Sequence, residues 1–111
     1  MSEMLSIQDF SRLDLRVGRV TEVADHPNAD KLYVMQCDLG PEVGTRQLVA
    51  GLRPYMTPDA LKGQLVVVVA NLEPATLRGQ RSEGMLLAAQ DGPKVVCLTV
   101  AEPVAPGSKI R

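Results

Sequence analysis

The sequence predicts an all-β fold: a five-stranded Greek-key barrel with a short helix between the third and fourth strands and a C-terminal strand extension. A chain of 111 residues lies in the size range of one domain with one modest core. Short, mostly apolar segments alternate with clusters of Gly, Pro, Asn and Asp, as short strands alternate with turns. We therefore expect a single domain over residues 1–111, with residues 1–6 frayed.

One helical turn and six strand-like segments follow one another along the chain. The helical turn is expected at residues 7–13 and the strands at residues 14–24, 31–39, 46–50, 64–70, 85–89 and 94–99. In the first strand, the alternation of apolar and polar residues breaks at Gly18 and Arg19, which predicts a bulge or bend there. In the second strand, Tyr33 is the aromatic side chain best suited to stacking on a nucleic-acid base.

The helix signature lies between the third and fourth strands. Thr57 can cap the helix, Pro58 can open it and Gly63 can close it. The fourth strand, at residues 64–70, is almost wholly apolar, as expected for a strand buried on both faces, and the tail after Glu102 carries two prolines that favour an extended chain. This element order is that of an OB-fold barrel, in which the helix plugs one end.

Composition and charge exclude several classes of function. Twelve Lys and Arg against thirteen Asp and Glu give a net charge of -1, so any anion site must come from local clustering. Aromatic residues make up only 3% of the chain, too few for a broad stacking platform. Cys37 and Cys97 lie in apolar segments and are expected to be buried, reduced thiols. No signal peptide or apolar run of membrane-spanning length is present, so we expect a soluble, cytoplasmic protein.

Residues 71–89 carry the strongest functional signal. Within this stretch, hydrogen-bonding groups, positive charge and a flexible apolar side chain follow one another closely, at Asn71, Arg78, Arg81, Ser82 and Met85. In an OB-fold, the loops after strands 1 and 4 flank the ligand face. The loop after strand 1 should therefore bring Asn28 and Lys31 across a groove from the arginines, which can contact phosphates while Asn and Ser contact bases or riboses.

Simpler roles remain open for several of these residues. The loop at residues 26–30 could be an ordinary turn, Arg16 and Arg19 could be solvated strand positions, and Met85 could fill the core. Glu83 is expected to hold an arginine or a backbone N–H in place. His26 is expected on the surface. Since the chain lacks a nucleophile motif, a phosphate-binding glycine loop and a metal-ligand set, we predict no enzyme and no cofactor.

Four segments together resemble the tRNA-binding domain family. They are DLRVGRV at 14–20, HPNADKLYV at 26–34, GLRPY at 51–55 and NLEPATLRGQRSEGMLLAA at 71–89. This OB-fold module occurs at the C-terminus of many methionyl-tRNA synthetases, at the N-terminus of bacterial phenylalanyl-tRNA synthetase beta chains, in the precursor of endothelial-monocyte-activating polypeptide and as free-standing dimeric proteins. The resemblance extends from about Ile7 to the C-terminus.

The resemblance implies structure-selective, largely sequence-independent binding at the outer corner of the L-shaped tRNA. It also implies that the protein catalyses no reaction of its own. It implies RNA contacts at Arg16, Asn28, Lys31, Arg78, Ser82 and Met85, supported by Asn71, Arg81 and Glu83. It also implies a homodimer formed through the N-terminal turn and the strands and tail after Lys94. The chain departs from many family members at Ala50, where they carry serine.

The resemblance leaves open both the assembly in which the chain works and one rival function. The boundaries of the chain favour a free-standing protein, although a module docked on an aminoacyl-tRNA synthetase is an alternative. A peptide-binding export chaperone of the same fold family is the nearest rival function.

Overall fold

A computed structural model describes residues 3–111, which form three short helices and nine strands. The helices are α1 (Ile7–Ser11), α2 (Gly40–Val43) and α3 (Pro58–Leu61), and the strands are β1 (Leu15–Asp25), β2 (Tyr33–Asp38), β3 (Thr45–Ala50), β4 (Leu65–Val69), β5 (Ala75–Leu77), β6 (Gln80–Ser82), β7 (Met85–Leu86), β8 (Ala88–Asp91) and β9 (Lys94–Cys97). Of the segment expected to be frayed, residues 1 and 2 lie outside the described residues, whereas the side chain of Ser6 caps α1 by accepting from the Asp9 amide at 3.1 Å.

Five strands form a nearly closed antiparallel barrel. They are arranged in the order β3-β2-β1-β4-β7. The two edges approach each other where the Glu83 amide donates to the Gln47 carbonyl at 2.8 Å and the Val49 amide donates to Ser82 Oγ at 3.0 Å. These bonds join β3 to the segment that leads into β7. The predicted all-β OB-fold barrel is confirmed.

The long strand β1 serves two neighbours because it bends. Its first half pairs with β4 and its second half with β2, and the register with β2 shifts between Val20 and Glu22. The predicted irregularity therefore lies two or three residues later than Gly18 and Arg19. Gly18 has a different role, because a Cβ at this position would lie 2.5 Å from the sulfur of Cys37. The glycine allows β1 to pack closely against β2.

The second strand turns its alternate residues into the core. Tyr33, Met35 and Cys37 are buried, while the residues between them are half-buried. The Tyr33 hydroxyl donates to the Met56 carbonyl at 2.8 Å, and the ring is only 3% exposed. The prediction that Tyr33 is available for stacking is wrong, since the ring belongs to the barrel interior.

The helix predicted between the third and fourth strands is present as α3. Thr57 Oγ1 accepts from the Ala60 amide at 3.2 Å, Pro58 opens the helix and Leu61 is fully buried. The fourth strand is buried on both faces, as its apolar sequence predicts. Residues 40–43 form the four-residue helix α2, whose second residue, Pro41, has a backbone φ suited to a helix start.

The C-terminal tail pairs with the start of β1 through an isolated β-bridge between Arg16 and Lys109. Gly107 donates to the Val17 carbonyl at 2.7 Å, Val17 donates to the Ser108 carbonyl at 2.9 Å and Ile110 donates to the Leu15 carbonyl at 2.9 Å. The tail covers the edge of β1 that β2 leaves unpaired. Within residues 3–111, none of the helices has the length and hydrophobicity that a membrane crossing requires.

Candidate nucleic-acid interface

Two loops meet at one rim of the barrel. One is the loop between β1 and β2, residues 26–32, and the other is the β5–β6 hairpin, residues 75–82; together they are called the loop rim below. A ring nitrogen of His26, Nε2, lies 2.8 Å from the Leu77 carbonyl oxygen and joins the two loops. Asn28 and Lys31 on the first loop are exposed, as are Arg78 and Arg81 on the second.

His26 is buried at the centre of the loop rim. Its residue exposure is 3%, and its other ring nitrogen, Nδ1, accepts from the Asn28 amide at 2.9 Å. Because Nδ1 is an acceptor, the ring proton is assigned to Nε2, which donates to the Leu77 carbonyl. The expectation that His26 lies on the surface is wrong. A histidine followed by Pro and Asn gave no sign that its partner lies 51 residues away.

The hairpin presents Arg78 at its tip. Arg78 and Gly79 have φ values of 52° and 91°, so both central residues of this two-residue turn are left-handed. Such turns match the twist of a hairpin, but their first position favours Asn, Asp or Gly rather than Arg. A long cationic side chain is thereby held at the most exposed point of the hairpin.

Glu83 stabilises the base of the hairpin. One carboxylate oxygen accepts from the Gln47 amide at 3.3 Å, and the other lies 3.8 Å from Arg81 Nε. The prediction that Glu83 holds an arginine or a backbone N–H is confirmed, since its carboxylate contacts one of each. Arg81 keeps 63% of its side chain exposed and so remains accessible to a ligand.

Two of the expected contact residues use their polar atoms within the fold. Ser82 is 5% exposed, and its hydroxyl accepts from the Val49 amide and donates to the Gly84 carbonyl, both at 3.0 Å. Asn71 accepts from the Asp14 amide at 2.8 Å and donates to the Arg12 carbonyl at 2.7 Å. Ser82 closes the barrel, and Asn71 joins the end of β4 to the start of β1.

Arg16 lies away from the loop rim. It is 5% exposed, and its Nε donates to an Asp14 carboxylate oxygen at 2.9 Å. Its Nη1 lies 3.4 Å from both a Glu42 carboxylate oxygen and the Gly107 carbonyl. The hydrogen bond to Asp14 raises the pKa of Arg16 above its ordinary value, against the opposing effect of burial. The partners of Arg16 lie at the start of β1, on α2 and on the tail, and none of them belongs to the loop rim.

An apolar cavity of about 390 Å³ lies beside the hairpin, between β3, residues 72–77 and β7. Its wall includes Leu72, Leu77 and Met85, which are 41%, 38% and 53% exposed. Met85 is therefore a surface side chain and does not fill the core. Ala50 also lines the cavity, where a serine hydroxyl would make the wall more polar.

Sequence reasoning missed two arginines that position the loops. Arg46 on β3 donates to the Glu83 carbonyl at 3.2 Å, and Arg53 pairs with the carboxylate of Asp25 at 3.3 Å, next to His26. The signal for Arg53 was its place in the family-like segment at residues 51–55. Arg46 has no sequence signal, because its partner is brought near only when the barrel closes.

The cysteines have no catalytic setting. Burial raises the pKa of the Cys37 thiol to about 12 and raises the pKa of Cys97. Both are free thiols, but only Cys37 is buried as expected, whereas Cys97 is half-buried. Among residues 3–111, no group of three His, Cys, Asp or Glu side chains could hold a metal ion.

Comparison with known proteins agrees with the resemblance inferred from the sequence. A methionine-tRNA ligase of Thermococcus kodakarensis is 56% identical over 109 residues, which is 98% of this chain but 14% of that protein's length. A MetRS-related protein of Pyrococcus horikoshii has a TM-score of 0.91 at 28% identity, over 99% of this chain and all of that chain. The chaperone CsaA of Bacillus anthracis has a TM-score of 0.88 at 32% identity, over 98% of this chain and all of that chain.

The family model described as "Putative tRNA binding domain" matches residues 15–109. The match includes the whole barrel, both loops of the rim and most of the C-terminal tail. The chain therefore belongs to the tRNA-binding domain family.

Proposed function

We propose that this protein binds tRNA through the loop rim, recognises its shape rather than its sequence, and catalyses no reaction. One observation carries the proposal: the hydrogen bond between His26 and Leu77 holds the loop that exposes Lys31 beside the hairpin that exposes Arg78 and Arg81. Membership of the tRNA-binding domain family supports tRNA as the ligand.

The charges favour a local phosphate contact. The chain as a whole carries a net charge of -1, so a weak attraction of the whole molecule to RNA does not account for binding. Lys31 and Arg78 contact phosphates, with Arg81 beside them. Asn28 supplies hydrogen bonds to ribose or base, and Met85 supplies an apolar contact at the mouth of the cavity.

The other three residues expected at the interface act through the fold. Arg16, Asn71 and Ser82 have their polar groups bonded within the chain, so we assign them supporting roles. They stabilise the tail, the start of β1 and the closure of the barrel.

We further propose that the protein works in the cytoplasm as a homodimer, free-standing or in contact with an aminoacyl-tRNA synthetase. Support comes from exposed apolar side chains on and after α1, with Ile7 69%, Phe10 41% and Leu13 43% exposed, and from Val96 on β9 at 48%. A second copy that covers them would place two loop rims in one particle and raise avidity through effective concentration. A monomeric mass in light scattering at micromolar concentration would contradict the dimer.

The alternative is a peptide-binding chaperone. The apolar cavity beside the hairpin favours it, because Leu72, Leu77 and Met85 offer a surface for an apolar side chain. The structural similarity to the chaperone CsaA of Bacillus anthracis also favours it. The exposed Lys31, Arg78 and Arg81 favour the tRNA proposal over this one.

A charge-removal pair tests the interface. Lys31→Ala should weaken tRNA binding several-fold and lower the slope of log affinity against log salt by roughly one, as the loss of one phosphate contact does. Lys62→Ala is the matched control, since Lys62 is 58% exposed but pairs with Glu22 away from the loop rim. Equal effects of the two substitutions on affinity and slope would contradict the assignment.

A further inference from the structure

The loop rim depends on one buried imidazole. Both ring nitrogens of His26 are hydrogen-bonded, Nε2 to the Leu77 carbonyl at 2.8 Å and Nδ1 to the Asn28 amide at 2.9 Å. Within residues 3–111, no other hydrogen bond joins the two loops. Among the described residues, the direct bond between the two loops is thus made by a single side chain that is only 3% exposed.

The two bonds fix the backbone beside the proposed RNA contacts. Leu77 precedes Arg78, so the bond to its carbonyl fixes the peptide unit from which the hairpin tip begins. The other bond fixes the amide of Asn28, three residues before Lys31. The ring itself is covered, and it therefore acts on the ligand only through the loops.

We propose, on the basis of the proposed function, that His26 is a positioning residue for tRNA binding. It sets the spacing between Lys31 of the first loop and Arg78 of the hairpin so that both reach phosphates of the same tRNA. The bond between the loops is the one that matters for binding. The bond to Asn28 shapes the first loop alone.

The neutral imidazole suits this role because it offers an acceptor on one edge and a donor on the other. Only the tautomer with its proton on Nε2 satisfies both partners. A surface loop histidine would instead exchange between tautomers and make its bonds to water. The tautomer of His26 is therefore a direct readout of the bridge between the loops.

Two substitutions separate the two bonds. In His26→Gln, the side-chain amide nitrogen reaches the position of Nε2 and can still donate to the Leu77 carbonyl. In His26→Asn, the side-chain oxygen takes the position of Nδ1 and can accept from the Asn28 amide, but the side chain is too short to reach Leu77. The variants thus keep one bond each, and neither adds or removes a cation.

Binding of unfractionated tRNA to both variants, over a salt series, tests the proposal. We expect the Gln variant to stay within about twofold of wild-type affinity and the Asn variant to lose up to about tenfold, the loss that one hydrogen bond of about 1.5 kcal/mol produces. The salt slope should be unchanged in both, because Lys31 and Arg78 remain in each variant and the lost affinity is the cost of ordering the two loops when tRNA binds. Equal affinities of the two variants would overturn the positioning role. No binding by the wild-type protein would overturn the proposed function as well.

A spectroscopic measurement keeps the proposal testable where a variant does not fold. The chain has one histidine, so its two ring nitrogens give one assignable pair of ¹⁵N signals in the wild-type protein. We expect a protonated Nε2 and an unprotonated Nδ1, both before and after tRNA is added, with shifts at the amides of Asn28 and Arg78 on binding. Averaged tautomer signals, or a proton on Nδ1, would overturn the bridge.

Discussion

Arg78 occupies a backbone conformation that arginine seldom adopts. Its φ of 52° is the only positive value at a non-glycine residue among those that the structure describes. A left-handed conformation costs an L-residue with a Cβ about 1–2 kcal/mol. Strain of this kind points to a functional role, and a cation at the tip of the hairpin is consistent with phosphate binding.

A comparison of Arg78→Gly with Arg78→Ala separates backbone strain from charge. The free energy of unfolding of the glycine variant should be about 1 kcal/mol higher than that of the alanine variant, because glycine accepts this φ without steric cost. Both should bind tRNA several-fold more weakly than wild type, with a salt slope lower by roughly one. Urea unfolding and salt titrations measure the two effects. Wild-type binding by either variant would contradict a contact at Arg78.

Residue type predicted that Lys31, Arg78 and Arg81 are exposed, but it did not predict which partners the uncharged polar side chains of the site bind. Lys31, Arg78 and Arg81 are exposed as expected, since long charged side chains are seldom buried. Ser82 and Asn71 carry groups that serve a ligand or the backbone equally well. Only the closed barrel, which brings the Val49 amide to Ser82, reveals which partner each has.

The Cys37 thiol makes stability fall at high pH. Burial raises its pKa to about 12, whereas a thiol in the unfolded chain ionises near pH ~8.5. Between these values the native state keeps a proton that the unfolded state loses, so stability declines as pH rises, by at most about 1.4 kcal/mol per pH unit. In Cys37→Ala, the free energy of unfolding should depend less steeply on pH in this window. Equal slopes in urea unfolding at several pH values would contradict the assignment.

The packing of the C-terminal tail against α2 requires two glycines, Gly40 and Gly107, whose backbones are in contact. A Cβ at Gly40 would lie 2.5 Å from the Pro106 carbonyl oxygen, and one at Gly107 would lie 2.8 Å from the Leu39 carbonyl oxygen. Both residues have positive φ. The close contact allows the tail to pair with β1 while Arg16 holds it from the side.

Gly107→Ala should therefore destabilise the fold more than Gly92→Ala. Both positions have positive φ, at 93° and 56°, but nothing lies within 4 Å of a Cβ at Gly92. Both variants incur the backbone cost of about 1–2 kcal/mol, and crowding at Gly107 adds about 1–3 kcal/mol. Thermal and urea unfolding measure the difference. Equal destabilisation would show that the tail is not closely packed.

Alternation and turn residues predicted most of the elements but not every orientation. The barrel strands and α3 follow from apolar runs, a capping threonine and a following proline. In β2, apolar residues occur on both faces, so alternation alone does not predict which face points into the barrel. The curvature of the closed barrel places Tyr33 on the inner face. The helix α2 was missed because four residues are too few to show helical periodicity.

At the scale of the whole molecule, the site is a small positive rim on a slightly acidic protein. The sequence pI is about 5.8, so attraction at a distance is weak and binding depends on contacts at the two loops. Such a surface should favour a folded RNA of matching shape over linear duplexes of equal charge. Salt sensitivity should correspond to a few phosphates rather than many.

The most direct test is a titration of unfractionated tRNA against the purified protein over a salt series, with duplex DNA and an unfolded polypeptide as competitors. We predict micromolar or tighter binding that weakens with salt and that neither competitor displaces. Displacement of tRNA by duplex DNA would contradict structure-selective recognition. Failure to bind tRNA, together with capture of the polypeptide, would contradict the central claim and favour the chaperone function.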